Sequence, residues 1–223
     1  KPSFHILRVG DGSRVRNKRV MLVYKLTDEL GMTHGDTQWG EGVSHEASGV
    51  GGLYGPGWIH CNDDPLIALL MNPIYTEFRS PRLWKALAEG PTLDNSGLKR
   101  GVRKLTILRE IALPKITPIQ ITAFGILCAK EVYTESEWNT WADEWLDNTN
   151  RSGEAAYAAA EAAGDAGAAG DARAAGAAMK AAYSAYDATE AAVYASRADA
   201  KAAGSAAYTS RADAAYAAAY AAS

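Results

Sequence analysis

The chain has 223 residues and a formal net charge of −3. Basic and acidic residues are nearly balanced along it, and the basic stripe typical of duplex-binding proteins is missing, so nucleic acid is not an expected partner. No run of about 18 apolar residues occurs, which argues against a membrane span.

Composition divides the chain into two parts. Every Trp, Pro, Cys and His lies within residues 1–150, whereas residues 151–223 are rich in alanine and contain none of these four. We therefore predict a compact α+β domain over residues 1–150, with a small mixed or antiparallel sheet and about three helices. Residues 151–223 are predicted to form an Ala-rich α-helical tail for assembly or interaction, either a helical hairpin or coiled-coil-like.

The first half of the predicted domain combines short strands with a long loop. Residues 19–26 form a β-rich run bounded by polar residues, which predicts a strand, and residues 58–61 predict a second short one. Between them, the many glycines of residues 40–57 predict a long irregular loop. Such loops in compact domains are more often functional or mobile than inert.

A helix start follows the second strand. Asp64 suits the N-cap position, and Pro65 suits the first helical position because its missing N–H needs no partner there. We predict a buried helix over residues 66–71, ended by Asn72-Pro73.

Two further strands are predicted in the middle of the chain. They lie at residues 82–89 and at residues 104–113. In the first segment, Leu83, Lys85 and Leu87 alternate with Trp84, Ala86 and Ala88. A polar loop over residues 90–100 is predicted between the two strands.

Two capping-box patterns predict helix starts before the tail. Thr117 and Gln120 open a helix to about residue 130, and Thr134 and Glu137 open another to about residue 147. The second helix carries an apolar stripe at i, i+3, i+4 and i+7, which we interpret as core packing rather than a ring-stacking site. The stripe consists of Trp138, Trp141, Ala142 and Trp145.

A stripe of small residues runs through the tail. From residue 156 to residue 212, positions that advance by alternating steps of four and three are all Ala, Gly, Ser or Thr. This seven-residue repeat predicts a seam along which helices lie close together. The high helix propensity of alanine favours helix over a disordered tail. The predicted seam includes Ala174, Ala177, Ala181, Ala188, Ala191, Ala195, Ala198 and Ala202.

Glycines predict where the tail helix breaks. Four of them cluster between Gly164 and Gly176, and each costs about 1 kcal/mol relative to alanine inside a helix. We predict a break within this cluster, which would produce a helical hairpin. Gly204 is a second candidate turn.

Recognisable catalytic and metal-binding motifs are missing. The sequence contains no HExxH, CxxC or GxSxG pattern and no nucleotide-binding glycine fingerprint. Its histidines are scattered. Cys61 and Cys128 make neither a zinc site nor a disulfide framework, and Cys128 lies in an apolar run that predicts a core position. We expect no metal and no resident cofactor.

Three segments resemble an uncharacterised domain of bacteriophage-encoded proteins, over about residues 20–150. They are YKLTDELG (24–31), GPGWIHCNDDPLIALLMNP (55–73) and KLTILREIALP (104–114). Members of that family share a "GxH…DPL" element followed by a strand of the "xTxxREIxLP" kind, and their tails are often repetitive or Ala-rich. The resemblance implies a phage or prophage origin, with a location in the host cytoplasm or the virion, and implies no particular activity.

The order of elements also resembles the split-sheet core of ADP-ribosyltransferase-type proteins, in which a later strand brings a glutamate to bound NAD. The resemblance implies Glu110 as the catalytic carboxylate, which would stabilise charge developing on the ribose, and His60 beside it in the pocket. Candidate binding residues are Tyr24, Trp39, Tyr54 and Trp58.

Two functions therefore remain as hypotheses. The leading one is a phage-associated accessory or structural protein whose helical tail mediates self-association or binds a protein partner. The alternative is an ADP-ribosyltransferase-like enzyme, or a degenerate relative that binds NAD or another nucleotide near residues 55–61. NAD is expected as a cofactor only under this alternative.

Overall fold

The computed structural model describes residues 20–169, 171–197 and 199–222. The fold is α+β, as predicted, with a five-stranded antiparallel sheet followed by a C-terminal helical region. Three positions used in the sequence predictions, Arg19, Gly170 and Ala198, lie outside the described residues. The strands are β1 (Val20–Thr27), β2 (Met32–Thr33), β3 (Thr37–Gln38), β4 (Ser44–Glu46), β5 (Ile59–Cys61), β6 (Arg82–Asn95) and β7 (Lys99–Ile111). The helices are α1 (Pro65–Leu70), α2 (Asn72–Tyr75), α3 (Pro118–Lys130), α4 (Ser136–Leu146), α5 (Gly153–Ala169), α6 (Ala172–Ser196) and α7 (Ala200–Ala221).

The main sheet has the order β1-β6-β7-β4, and β5 pairs with β7 beyond the end of β4. All of these pairings are antiparallel. One face of the sheet buries Val23, Trp84, Ala86, Leu105 and Ile107 in a single hydrophobic cluster. The alternation at residues 82–89 therefore belongs to a strand, as predicted.

The loop predicted over residues 90–100 is wrong, because most of it belongs to a long β6–β7 hairpin. Gly90, with φ of 92°, lies in a β-bulge, which accommodates the Gly-Pro step without ending the strand. The hairpin turns at Ser96 and Gly97, whose φ values of 47° and 77° belong to the tight turn that suits the strand twist. The steps Gly90-Pro91 and Asn95-Ser96-Gly97, which suggested a loop, therefore form a β-bulge and a hairpin turn.

Helix α1 begins as predicted. The carboxylate of Asp64 accepts a hydrogen bond from Leu66 N at 2.7 Å, and Pro65 occupies the first helical position. The predicted end of this helix at Asn72-Pro73 is confirmed, because α1 ends at Leu70 with Met71 as its C-cap, and Asn72 begins a separate short helix, α2. Proline favours the first turn of a helix as readily as it breaks a preceding one.

The two predicted capping boxes have different outcomes. Thr117 and Gln120 form both reciprocal hydrogen bonds at the start of α3, which confirms the first box. The second box is wrong, since Glu135 is the N-cap of α4 and makes no side-chain capping bond. The Trp stripe of α4 is buried in the helical core, which confirms its interpretation as core packing.

The tail consists of three helices rather than one rod. Helix α5 ends at Ala169 and α6 begins at Ala172, so the two helices separate inside the predicted glycine cluster. Gly204 is not a turn, because the second break comes earlier and the side chain of Asp199 caps α7 by accepting from Ala202 N at 3.0 Å. The N-cap residue Asp199, and not Gly204, therefore marks the start of α7.

The predicted seam is buried in its first half only. Ala174, Ala177 and Ala181 are buried between helices, whereas Ala195 is exposed. Ala188, Ala191 and Ala202 are partly buried. Helix α7 buries a different face, formed by Ser210, Asp213, Ala214, Ala215, Ala217 and Ala218.

The Ala-rich helices pack on the rest of the chain. Residues of α3 and α4, including Ile126 and Trp145, belong to the same buried cluster as the alanines of α5 and α6. A Cβ at Gly125 of α3 would lie only 2.9 Å from the Cα of Ala214, so α3 and α7 approach very closely. The sheet side meets this bundle through a second cluster that contains Met71.

Candidate functional site

A cavity of about 700 Å³ opens beside the sheet. Its walls come from β1, β5, the start of β7, the loops before β5 and the helices α1 and α2. Such a volume lies within the range of about 300–1,000 Å³ that small-molecule sites usually have.

The glycine-rich loop closes one side of this cavity. A Cβ at Gly57 would lie 1.9 Å from Val50 O, and one at Gly101 would lie 2.7 Å from Leu53 Cδ1. Because glycine alone permits such close approaches, the loop folds back on itself and onto β7. This packing places Tyr54 at the cavity.

Lys25 of β1 lies on the buried face of the sheet and lines the cavity, with 8% of its surface exposed. Its Nζ donates a hydrogen bond to His60 O at 2.8 Å and lies 5.1 Å from the centroid of the Trp39 ring. Burial lowers the pKa of Lys25 to about 8; Cys61 opposes this shift and Lys99 adds to it.

Lys99 follows the hairpin turn and lines the same cavity, with 9% of its surface exposed. Its Nζ lies 4.1 Å from the ring centroid of Tyr75 and 5.1 Å from that of Tyr54. Burial lowers the pKa of Lys99 to about 8 as well. The two lysines are close enough for the charge of Lys99 to act on Lys25.

Neither lysine has a carboxylate partner among the described residues. Glu46 is the only acidic residue among those that line the cavity within the described ranges, and its carboxylate binds Arg103 at 2.9 Å. The cavity is therefore cationic, and two buried ammonium groups face it without an opposite charge of their own.

The two histidines of the cavity hold its backbone in place. The Nε2 of His60 donates to Leu53 O at 2.6 Å, and the Nε2 of His45 donates to Gln38 O at 2.9 Å. Burial lowers the pKa of His60, which favours the neutral ring. The edge of His45 also meets the Trp39 ring, with the centroids 4.6 Å apart.

Aromatic rings form the rest of the wall. The indole Nε1 of Trp39 donates to Thr33 Oγ1, and that of Trp58 donates to Gly51 O, each at 2.9 Å. Both indoles are more than nine-tenths buried, whereas Tyr54 is 60% exposed. Two fixed indoles and the more exposed Tyr54 thus contribute aromatic side chains to the cavity lining.

Four of the residues singled out from the sequence meet at this cavity: His60, Trp39, Tyr54 and Trp58. Tyr24 is not among the residues that line the cavity, although its neighbours Lys25 and Leu26 are. The side chain of Tyr24 instead packs near Leu26.

Glu110 also lies outside the cavity lining. Its carboxylate is held by the guanidinium of Arg82, with the Arg82 Nε 3.0 Å from Oε1, and this contact lowers the pKa of Glu110. The structure therefore does not bring Glu110 and His60 together in one site.

Sequence reasoning missed the two lysines. Lys25 had a signal, since it shares strand parity with the buried residues Val23 and Thr27. Lys99 had none, because its place in the cavity depends on the hairpin turn and on Tyr75 of α2.

No family model matches the chain, and no curated protein or solved structure is significantly similar to it. Among the described residues, no group of three or more His, Cys, Asp or Glu side chains is arranged to hold a metal ion. No helix in the same ranges has the length and apolar character needed to cross a membrane.

Proposed function

We propose that this domain binds a small anionic ligand that carries a flat ring, with a nucleotide as the leading class. The single observation that carries the proposal is the pair of buried lysines, Lys25 and Lys99, that face one cavity without a carboxylate partner among the described residues. A buried charge without an opposite partner is costly, and a bound anion would relieve that cost for both lysines.

The surroundings of the lysines support a ring-bearing ligand. Trp39 and Trp58 line the cavity, and the hydrogen bonds of their indole N–H groups fix the two rings. Stacking on aromatic side chains stabilises bound bases by about 1–3 kcal/mol each. A phosphate or carboxylate near the lysines and a ring against the indoles would together account for the cavity's chemistry.

Matched pairs of probes test the proposal. Isothermal titration would compare ADP, NAD and pyridoxine 5′-phosphate with the uncharged adenosine and pyridoxine. We expect at least one phosphorylated probe to bind, with its uncharged counterpart weaker by about tenfold or more, which corresponds to about 1.4 kcal/mol. Added salt should weaken the phosphorylated probe.

Variants locate the binding. Lys25→Met and Lys99→Met should each weaken the phosphorylated probe by about tenfold or more, because each removes one cation that faces the anion. Lys104→Met is the matched control, since Lys104 lies outside the cavity lining and pairs with Glu89 at 2.9 Å. No binding of any phosphorylated probe at millimolar concentration, or equal binding of the uncharged ones, would contradict the proposal.

Self-association through the helical tail is a second candidate function, with another copy of this chain as the partner. It is favoured by the exposure of Ala195, Ser205 and Thr209, which continue the small-residue repeat beyond its buried part. Light scattering over a wide range of protein concentration should detect a dimer, and Ala195→Glu should return it to a monomer. A wild-type chain that is monomeric throughout would exclude this function.

The bacteriophage origin that the sequence resemblance implies stays a prediction.

A further inference from the structure

The two lysines of the cavity have different environments. The Nζ of Lys25 donates to the carbonyl oxygen of His60. The Nζ of Lys99 has no hydrogen bond and no ion pair with the described residues and lies over the rings of Tyr75 and Tyr54. Loss of the Lys99 proton therefore breaks no hydrogen bond and gives up only the attraction between its charge and the two rings. Loss of the Lys25 proton would also weaken the hydrogen bond to His60 O.

This difference matters because an uncharged amine is a nucleophile. Lysines become nucleophilic when they are desolvated or placed next to another cation, which is how Schiff-base lysines arise in proteins. Lys99 meets the first condition, since only 9% of its surface is exposed and burial is the cause that lowers its pKa. The pKa of Lys99 is about 8, so far more of it is uncharged near neutral pH than of an exposed lysine.

We propose that Lys99 forms an imine with the carbonyl group of an anionic aldehyde or ketone bound in the cavity, while Lys25 holds the anionic group. This inference rests on the proposed anion site and adds the class of ligand and the reaction. It assigns the two lysines separate roles, as nucleophile and as anion-binding cation.

The reaction balances without another reactant. The lone pair of Lys99 Nζ attacks the carbonyl carbon, a C–N bond forms, and the carbonyl π electrons move to oxygen, which gains a proton. The nitrogen loses its two protons through water, and the hydroxyl oxygen gains a second proton. The nitrogen lone pair then forms the C=N bond, the C–O bond breaks, and one water molecule leaves. The product is an imine, and water reverses it.

Pyridoxal 5′-phosphate is a suitable probe because it combines an aldehyde, a phosphate and a ring. The intact protein would be incubated with less than one equivalent of probe, reduced with borohydride to trap any imine, and digested for peptide mass spectrometry. We expect modification at Lys99 to exceed that at the partly exposed, ion-paired Lys104 by about tenfold or more. The modified fraction of Lys99 should rise with pH around a midpoint near 8.

Variants and a matched ligand separate the possible outcomes. Lys99→Met and Lys99→Arg should both abolish the Lys99 adduct, and Lys25→Met should reduce it by weakening phosphate binding. Modification spread evenly over the lysines, or a total yield unchanged by Lys99→Arg, would overturn the inference.

Pyridoxine 5′-phosphate has an alcohol in place of the aldehyde and cannot form the imine. If it binds and protects the cavity while pyridoxal 5′-phosphate leaves Lys99 unmodified, the imine is excluded and the anion site stands. If neither compound binds and the other phosphorylated probes also fail, the proposed function itself is excluded.

Discussion

At the scale of single residues, the buried lysines dominate the chemistry of this protein. Lys25 sits on an apolar strand face, where a hydrophobic side chain would normally lie. The only hydrogen bond of its side chain to the described residues goes to a backbone carbonyl, and its positive charge is largely desolvated. A residue that is unfavourable for folding and faces a cavity is more readily explained by binding than by stability.

Lys25→Met should therefore raise the free energy of unfolding of the ligand-free protein by about 1–2 kcal/mol near pH 7, less the loss of one hydrogen bond. The pKa of Lys25 is about 8 in the folded protein and near 10.5 when exposed, so its penalty is complete below pH 8. The penalty fades as the pH rises towards 10.5, and the advantage of methionine should shrink with it.

Urea titrations at pH 7 and at about pH 10 would measure this difference. The control is Lys85→Met on the opposite face of the same sheet, which should change stability little. A variant that is less stable than the wild type at pH 7 would show that Lys25 is stabilised by a contact not yet accounted for.

At the scale of elements, alanine and glycine determine how closely the helices approach. Gly125 of α3 lies against the backbone of Ala214 on α7, whereas Gly204 on α7 has no other atom within 4 Å of an added Cβ. Both glycines are helical, so alanine should improve the helix propensity of each by about 1 kcal/mol. Their surroundings decide which substitution is tolerated.

Gly125→Ala should lower the free energy of unfolding by about 1–3 kcal/mol, because the new methyl group forces α3 and α7 apart. Gly204→Ala should raise it by about 0.5–1 kcal/mol. Thermal and urea unfolding of the two variants provide a direct comparison. Equal effects of the two substitutions would mean that the close approach at Gly125 is not maintained in solution.

Helices α6 and α7 also share one cluster of charged side chains, formed by Asp187, Glu190 and Lys180 of α6 and Asp213 of α7. Burial raises the pKa of Asp187 to about 6, helped by Asp213 and Glu190 and opposed by Lys180. An acid whose folded pKa lies above its unfolded value destabilises the protein at high pH, and the penalty disappears as the pH falls from 6 towards 3.8. Protonation of Asp187 should therefore tighten this helix pair.

Asp187→Asn should stabilise the protein on the order of 1 kcal/mol near pH 7.5, allowing for solvent screening. Its advantage should vanish by about pH 4, near the ordinary pKa of an aspartate. Asp165→Asn, at an exposed position on α5, is the control and should have little effect at either pH. An advantage of Asp187→Asn that is the same at both pH values would exclude the titration of Asp187 as its cause.

At the scale of the whole molecule, the sheet and the helical region are joined by one hydrophobic cluster. Met71 from the α1–α2 junction and Leu98 from the hairpin tip pack with Ala215 and Ala218 of α7. Met71 is 1% exposed and also lines the cavity. The helices that contain the alanine repeat therefore help to hold the wall of the candidate site.

Met71→Ala should lower the free energy of unfolding by about 2–5 kcal/mol, because it leaves a void in this shared cluster. Hydrogen exchange followed by mass spectrometry should show a similar loss of protection in β7 and in α6. Leu127→Ala, which removes a side chain that is 54% exposed on α3, is the control and should cost much less. A loss confined to one of the two layers would mean that they unfold independently.

The sequence by itself determined most of the elements, because their signals are local. The Asp64-Pro65 helix start, the capping box at Thr117 and the strand alternation at residues 82–89 each depend on neighbours within a few positions. The glycine cluster likewise placed the break between α5 and α6. By contrast, the small-residue repeat did not reveal that α7 buries another face, since that depends on how α7 packs on α3.

Only the tertiary structure decided the candidate site. Lys25 and Lys99 are far apart in the sequence, and they face one cavity because the β6–β7 hairpin brings Lys99 back towards β5 and α2. The same geometry left Glu110 paired with Arg82 outside the cavity lining, although its strand was predicted correctly. Local pattern specifies which face of an element is buried, but strand register, bulges and turns decide which side chains meet, and those depend on the whole fold.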